Sequence, residues 1–183
     1  IATAKSGGVS VRFERGAEDY LTRRAHTLTP FSKEYGHYLF ENFTRDENFD
    51  DGAYTFQSVG SIAICDIVTP CQSLLDACAA PGGKSVLLSK KCGDVTAFEL
   101  HEHRVALIGQ YQARMGVENV REMQKDSSVF DSVYEEKFDG VLCDVPCSGF
   151  GTISENPDIK LFRKETDFVA LEKAQKEILT NAA

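Results

Sequence analysis

One cysteine of this chain stands in a setting that suits covalent chemistry. In the stretch CDVPCSGFG, Cys147 follows a proline and precedes a serine–glycine turn, and Asp144 closes the apolar run before it. A thiolate is a strong nucleophile, and a nearby carboxylate can orient a polar substrate or exchange a proton with it. Cys147 is therefore a candidate for a nucleophile, for a helper to another nucleophile, or for a turn residue without chemistry.

A glycine-rich loop forms the second candidate. The stretch DACAAPGGKS places Gly82 and Gly83 between a predicted strand and a predicted helix, where a ligand can approach the main chain closely. Its end, Gly83-Lys84-Ser85, also fits the phosphate-binding pattern G-x-x-x-x-G-K-[ST], but Cys78 stands where that pattern requires its first glycine. A nucleoside ligand and a nucleoside triphosphate both remain open at this point.

Acidic residues at the ends of the later strands favour one of these ligands. Glu99 ends the second predicted strand, Asp126 the third and Asp144 the fourth. The carboxyl ends of parallel strands meet at one edge of a sheet, and an acid after the second strand suits ribose hydroxyls. Three carboxylates repel a triphosphate but attract an adenosyl group that carries a sulfonium and an amine. The pattern predicts a pocket for S-adenosylmethionine, with a P-loop-like nucleotide-binding protein as the alternative.

The elements that must position these residues alternate between strand and helix from residue 51 onward. Apolar strand-like runs occur in LLDACA, VTAFEL, NVREMQKD and KFDGVLCDVP, with helical patterns between them. This alternation predicts an α/β fold with a Rossmann-like parallel sheet over residues 51–183. Residues 1–50 are predicted to form a small N-terminal α+β subdomain, with a strand from Val9 to Phe13 and a helix from about Glu18 to His26. Its aromatic residues favour a packing cluster over a base-stacking platform.

Composition bounds the class of protein. The chain has 183 residues and a net charge of −8, so it lacks the overall basic footprint of strong nucleic-acid binders, and a local patch must supply attraction to any RNA. No apolar run reaches the length of a membrane span, and the N-terminus lacks the apolar core of a signal peptide. Six cysteines without a CxxC pair argue against a zinc site. We expect a cytoplasmic protein without a bound metal and without a membrane partner.

The two motifs together resemble those of a known family. With DACAAPGGK, Glu99, Asp126 and DVPCSG at this separation, the chain resembles the Sun/Fmu/RsmB family of RNA cytosine-5 methyltransferases, from about Val9 to the last residue. The segments GAYTFQSVGS, GTISENPDIK and AQKEIL also fit. The resemblance implies a class I methyltransferase sheet and methyl transfer from S-adenosylmethionine to carbon 5 of a cytosine in RNA, most often ribosomal RNA.

The resemblance also implies a role for each site residue. Glu99 would bind the ribose hydroxyls, Asp126 the adenine edge, and Asp144 the target cytosine as well as the cofactor side of the pocket, whereas the role of Lys84 stays open between the two ligands. The residues implied to line the cofactor in the loop are Cys78, Ala79, Ala80, Pro81, Gly82, Gly83 and Lys84.

Cysteine chemistry explains why this family needs thiols. A thiolate that adds to carbon 6 of cytosine makes carbon 5 nucleophilic enough to accept a methyl group. In the family, a cysteine in a later Thr-Cys strand attacks and the Pro-Cys thiol, here Cys147, helps to release the product.

The chain reaches Ala183 before such a strand, so we expect a sheet that is incomplete on its C-terminal side and a chain that is inactive alone. The base must be unstacked, which favours single-stranded or loop RNA; a non-catalytic RNA-binding fragment is a further alternative.

Overall fold

The computed structural model describes residues 9–21, 25–26, 36–40, 43–153 and 156–183, and its strands form two four-stranded sheets. The first sheet is antiparallel, with strand order β2-β3-β1-β4. Its strands are β1 (Val9–Phe13), β2 (Ala25–His26), β3 (His37–Phe40) and β4 (Tyr54–Phe56). Two short helices accompany them, α1 (Ala17–Leu21) and α2 (Glu47–Asp50).

Aromatic side chains form the core of this N-terminal unit. Phe40 and Tyr54 are almost completely buried, and the ring of Phe13 lies 5.5 Å from that of Tyr54 and 6.0 Å from that of Phe40. The predicted packing role of the aromatic residues is therefore confirmed for those that the structure describes.

Two N-terminal boundaries differ from the sequence-based expectation. The helix predicted from Glu18 to His26 ends at Leu21, and Ala25–His26 pairs with β3 instead. The boundary predicted at residue 50 falls inside the antiparallel sheet, because Tyr54–Phe56 pairs with β1. The charged stretch TRDENFDDG has the composition of a linker, but Asp46 in it accepts hydrogen bonds from the Asn48 amide and the Tyr54 hydroxyl and so forms part of the fold.

The second sheet is parallel throughout, with strand order β7-β6-β5-β8. Its strands are β5 (Ser73–Asp76), β6 (Asp94–Glu99), β7 (Val120–Gln124) and β8 (Gly140–Leu142). The helices are α3 (Val59–Ile67), α4 (Gly83–Leu88), α5 (Glu102–Met115), α6 (Ile159–Phe162) and α7 (Glu165–Ala182), with short 3-10 helices at Ser132–Tyr134 and Phe150–Thr152. The alternation of strands and helices confirms the predicted α/β class and parallel sheet.

Apolar residues on the strands and helices of this unit form one core. Leu74, Val95 and Ala97 of the sheet are almost fully buried against Leu88 of α4 and Ile108 of α5. This burial fixes the two helices that follow β5 and β6 against the sheet, and so it fixes the loops at the carboxyl ends of those strands.

Gln57 joins the two sheets. Its side-chain oxygen accepts a hydrogen bond from Nε of the buried Arg12 at 2.6 Å, and its amide nitrogen donates to the carbonyl of Gly83 at 3.1 Å. On the other side, Arg114 of α5 donates to the carbonyl of Tyr54 at 3.1 Å. The N-terminal sheet is thus attached to the two helices that frame the glycine-rich loop. None of the helices in the described ranges has the length and apolar character that a membrane span requires.

Candidate active site

The carboxyl ends of the four parallel strands form the edge at which the candidate residues lie. Strand register aligns Asp76 of β5 with Leu142 of β8 and with Ala97 of β6, and aligns Glu99 of β6 with Gln124 of β7. Glu99 is the last residue of β6. The other candidates follow strand ends: the glycine-rich loop follows β5, Asp126 follows β7, and Asp144 and Cys147 follow β8. The structure therefore brings all the predicted site residues to one edge of the sheet.

The glycine-rich loop packs closely on helix α5. The Ala79 amide donates to the Phe98 carbonyl at 2.9 Å, and the Gly82 amide donates to the Ala79 carbonyl at 2.8 Å. Gly82 has a φ of +106°, and a Cβ atom there would lie 3.3 Å from both Cα and Cγ2 of Ile108. Glycine is required at this position both by the backbone conformation and by the close approach of α5. Ala80 is half-buried and Pro81 is exposed, so the middle of the loop is open to a ligand.

Asp76 is a candidate that the sequence did not single out. It is 1% exposed, Oδ2 accepts a hydrogen bond from the Ser85 hydroxyl at 2.7 Å, and Oδ1 has no hydrogen-bond partner in the described part of the chain. Burial raises the pKa of Asp76 to about 6, although the Ser85 hydroxyl, the positive charge of Lys84 and the nearby backbone amide of Cys78 act in the opposite direction. A buried acceptor without a donor is rare in proteins and suits a ligand that carries a donor group. The sequence feature that could have identified Asp76 is its position as an acid at the end of β5, equivalent to the position of Glu99 at the end of β6.

Glu99 is buried at the end of β6 and is attached to the loop by Arg104. Its carboxylate is 4% exposed; Oε1 accepts from the His101 amide at 3.0 Å, and Arg104 Nη1 lies 3.3 Å from each carboxylate oxygen. Nη2 of Arg104 donates to the carbonyl of Ala80 at 3.3 Å. Arg104, in the first turn of α5, therefore holds the predicted ribose-binding acid and the glycine-rich loop in one arrangement. The sequence analysis did not name it.

Asp126 shapes the loop that follows β7. Its Oδ1 accepts from the Ser128 amide at 2.9 Å and from the Ser128 hydroxyl at 2.6 Å, while Oδ2 has no hydrogen bond within the described ranges. Ser127 donates to the carbonyl of Ala77 at 2.6 Å, which brings this loop beside the end of β5. One carboxylate oxygen thus builds the turn and the other is available to a ligand.

Lys84 and Asp144 form an ion pair across the site. Lys84 Nζ lies 2.5 Å from Asp144 Oδ2, and the two side chains are 23% and 41% exposed. The sequence left the role of Lys84 open; the structure places its ammonium group on the acid that precedes the Pro-Cys turn. The pair links the loop after β5 to the loop after β8.

Cys147 lies on a turn whose carbonyl groups are held by side chains from later in the chain. Gln175 donates to the Pro146 carbonyl at 2.7 Å, and Arg163 donates through Nη2 to the Cys147 carbonyl at 3.4 Å and through Nε to the Ser148 carbonyl at 3.0 Å. Three successive carbonyl groups are therefore fixed from outside the turn. Neither Gln175 nor Arg163 was predicted, because nothing in their local sequence indicates which backbone they contact.

The six cysteines differ in exposure, and Cys147 is the only exposed one. Burial raises the pKa of Cys78 to about 12, with the negative charge of Asp76 adding to the shift, and burial also raises the pKa of Cys143. Both side chains are therefore neutral thiols near pH 7 and poor nucleophiles. Cys71 precedes β5, at the opposite end of the strand from the site, where the Gly93 amide donates to its carbonyl. In the described ranges, no three His, Cys, Asp or Glu side chains lie close enough to hold a metal ion.

Comparison with known proteins places this geometry in a family. The sequence model of the family described as 16S rRNA methyltransferase RsmB/F matches residues 68–183, a range that contains every residue of the site described above. The chain belongs to the RsmB/F methyltransferase family. The resemblance stated from DACAAPGGK and DVPCSG is thereby confirmed.

Curated relatives agree with the RsmB/F assignment. The chain is 37% identical over 141 residues to the probable ribosomal RNA small subunit methyltransferase B of Bacillus subtilis, and 33% identical over 135 residues to ribosomal RNA small subunit methyltransferase B of Citrobacter koseri. These matches cover 74% and 72% of this chain but 32% of each relative. The chain thus spans about a third of the length of the curated relatives it matches.

Solved structures support the fold of this RsmB/F chain. The crystal structure of PH0851 superposes with a TM-score of 0.86 at 22% identity, over 98% of this chain and 44% of that one. The structure of NSun6 from Pyrococcus horikoshii with SFG superposes with a TM-score of 0.65 at 24% identity, over 77% of this chain and 37% of that one. At these identities the likeness bears on the fold, and the parallel sheet is that of the Rossmann-like class I methyltransferases.

Proposed function

We propose that this chain carries the S-adenosylmethionine site and part of the target-base site of an enzyme that methylates carbon 5 of a cytosine in ribosomal RNA of the small subunit. The observation that carries the proposal is the Lys84–Asp144 ion pair, because it joins the glycine-rich loop to the turn that bears the exposed thiol of Cys147. A methyl donor bound by the loop would then lie next to a base bound beside Cys147. An rRNA substrate also implies a cytoplasmic location.

The residues of the loop side fit S-adenosylmethionine. The half-buried Ala80 and the exposed Pro81 leave the middle of the loop open to a ligand, and the unpartnered Oδ1 of Asp76 suits the amino group of the methionine part. We assign the ribose hydroxyls to Glu99 and the adenine edge to the unpartnered Oδ2 of Asp126. When bound, the cofactor supplies a methyl group activated by the sulfonium charge. Four carboxylates on this edge, those of Asp76, Glu99, Asp126 and Asp144, favour such a positive ligand.

We assign the target cytosine to Asp144 and Cys147. Asp144 is 41% exposed, so its carboxylate can meet the N3 and N4 edge of an unstacked cytosine while Lys84 holds its other side. Enzymes that act on an unstacked base recognise it through hydrogen bonds to its Watson–Crick edge.

Cys147 is assigned to the release step. After methylation, a base takes the proton from carbon 5, the electron pair of that carbon–hydrogen bond restores the ring double bond, and the electron pair of the carbon 6–sulfur bond returns to the attacking sulfur. The resemblance to the family assigns the attack to another cysteine and leaves Cys147 to assist this elimination. The exposed position of Cys147 on a fixed turn supports a role that requires access to the base.

A P-loop-like nucleotide-binding protein is the competing function, and the charge of the site disfavours it. The carboxylates of Asp76, Glu99 and Asp144 surround the loop in which a triphosphate would have to lie. Carboxylates repel the negative charges of a triphosphate, and the repulsion is stronger in a partly buried site than in water.

Isothermal titration calorimetry tests the proposal. Titration with S-adenosylmethionine should give saturable binding, and Glu99→Gln should weaken it because Glu99 is assigned to the ribose hydroxyls. Magnesium-dependent binding of ATP with no response to the methyl donor would establish the competing function instead. RNA binding that persists without any cofactor affinity would favour a non-catalytic RNA-binding fragment.

A further inference from the structure

Two adjacent apolar side chains are exposed close to the Cys147 turn. Leu161 is 78% exposed and Phe162 is 75% exposed, and both belong to the short helix α6. Single exposed apolar residues are ordinary on protein surfaces, whereas a large aromatic side chain exposed beside another apolar one marks a contact surface more often.

The position of α6 is fixed against the turn from both of its ends. At its start, Cδ1 of Ile159 lies 3.1 Å from the place where a Cβ on Gly149 would be. Directly after its end, Arg163 donates to the carbonyl groups of Cys147 and Ser148. Phe162 therefore directly precedes the residue that holds the Cys147 turn, to which we have assigned the target base.

The charge around Phe162 suits a polyanion. Lys160, Arg163 and Lys164 lie within five residues, with no acidic residue between them, and Lys160 and Lys164 are exposed. Asp158 and Glu165 flank the segment. The chain as a whole has a net charge of −8 and no basic excess. These three cations therefore form a local basic group beside the candidate active site.

We propose that the segment 160–164 is an RNA-docking surface on which a nucleotide next to the target cytosine stacks on Phe162, while neighbouring phosphates pair with Lys160 and Lys164. The proposal rests on the proposed function, and it names the residues that would hold the flanking RNA. Stacking on an aromatic ring is independent of sequence, and it would stabilise the strand on one side of a base that has left the stack.

Fluorescence anisotropy tests the proposed RNA-docking surface. The probe is a labelled single-stranded RNA of about 12 nucleotides, a length within the range that one binding groove covers. Phe162→Ala should weaken RNA affinity roughly 5- to 150-fold, as expected for the loss of one stacked base. Phe162→Tyr keeps the ring and should keep the affinity. Leu179→Ala is the matched control, because Leu179 is 60% exposed on α7 and lies outside the segment; it should leave the affinity unchanged.

The salt dependence of binding tests the cations separately. Replacement of Lys160 and Lys164 by glutamine should lower the slope of log affinity against log salt by about 1.4, since each phosphate contact on a single strand contributes about 0.7. A purely structural role of these lysines would not change that slope.

Calorimetry with S-adenosylmethionine, run on the same proteins, keeps this inference distinct from the proposed function. The inference is overturned if Phe162→Ala binds RNA as wild type does, as expected if another protein segment covers Phe162, or if the wild-type chain binds the cofactor but no RNA. Absence of cofactor binding by the wild-type chain would instead overturn the proposed function.

Discussion

At the scale of single residues, the site depends on differences in environment between chemically identical groups. Cys78, Cys143 and Cys147 are all close to the carboxyl edge of the sheet, but burial raises the pKa of the first two and only Cys147 is exposed. The Pro-Cys motif indicated which thiol to examine. The burial of the competing thiols is a property of the assembled sheet and could not be derived from their sequence neighbours.

Cys147 should therefore be the first of the six cysteines to react with an alkylating reagent. Brief treatment with iodoacetamide at pH 8, followed by peptide mass spectrometry, should label Cys147 well before Cys78 and Cys143, because their raised pKa values keep them protonated at that pH. Cys147→Ser should remove the early label. Equal or faster labelling of Cys78 would contradict the assignment of the exposed thiol.

Asp76 should make the stability of the free chain depend on pH. Its folded pKa is about 6 against an ordinary value of 3.8, so between these values the folded chain binds more protons than the unfolded chain. Stability should therefore fall as pH rises from about 4 to about 6, and the loss should remain above that range.

The variant Asp76→Asn isolates this effect. It should stabilise the chain above pH 6 by at most about 3 kcal/mol, have little effect below pH 4, and weaken binding of S-adenosylmethionine. Denaturant unfolding at several pH values measures the first two outcomes and calorimetry the third. Asp94→Asn, at an exposed position, is the control. The same stability difference for Asp76→Asn at pH 4 and pH 8 would show that Asp76 is not a buried, titrating acid.

At the scale of elements, the loops after the strands could be predicted better than the contacts that hold them. The strand pattern and the acids that close each strand placed Glu99, Asp126 and Asp144 at one edge, and the observed strand order agrees. Arg163 and Gln175 escaped prediction because they act on backbone carbonyl groups 15 to 29 residues away. Hydrogen bonds of this kind depend on the final packing of α6 and α7 and leave no periodic signal.

The glycine-rich loop provides the prediction at this scale. Gly82→Ala should destabilise the chain by about 1–3 kcal/mol and weaken cofactor binding, because a Cβ at a φ of +106° is strained and meets Ile108. Gly60→Ala is the matched control, since Gly60 is exposed on helix α3 and no atom lies within 4 Å of its added Cβ. It should be neutral or stabilising by up to about 1 kcal/mol. Chemical denaturation compares the two, and equal effects would show that the loop conformation does not depend on glycine.

At the scale of the whole molecule, the N-terminal unit and the parallel sheet are joined at the site. Gln57 connects the buried guanidinium of Arg12 to the backbone of Gly83, so the antiparallel sheet supports the start of α4. The sequence indicated two units but placed their boundary too early, since a charged loop and a linker have the same composition. Asp76 was overlooked for a related reason: its burial and its unpartnered oxygen arise only when β5 lies between β6 and β8.

A crystal structure of the chain with S-adenosylhomocysteine would test the central claim most directly. We predict that the ribose hydroxyls lie within hydrogen-bonding distance of Glu99, the adenine edge beside Asp126 and the amino group beside Asp76, with the sulfur directed toward the Lys84–Asp144 pair. A ligand bound away from the carboxyl ends of β5 to β8, or one that contacts none of these acids, would contradict it.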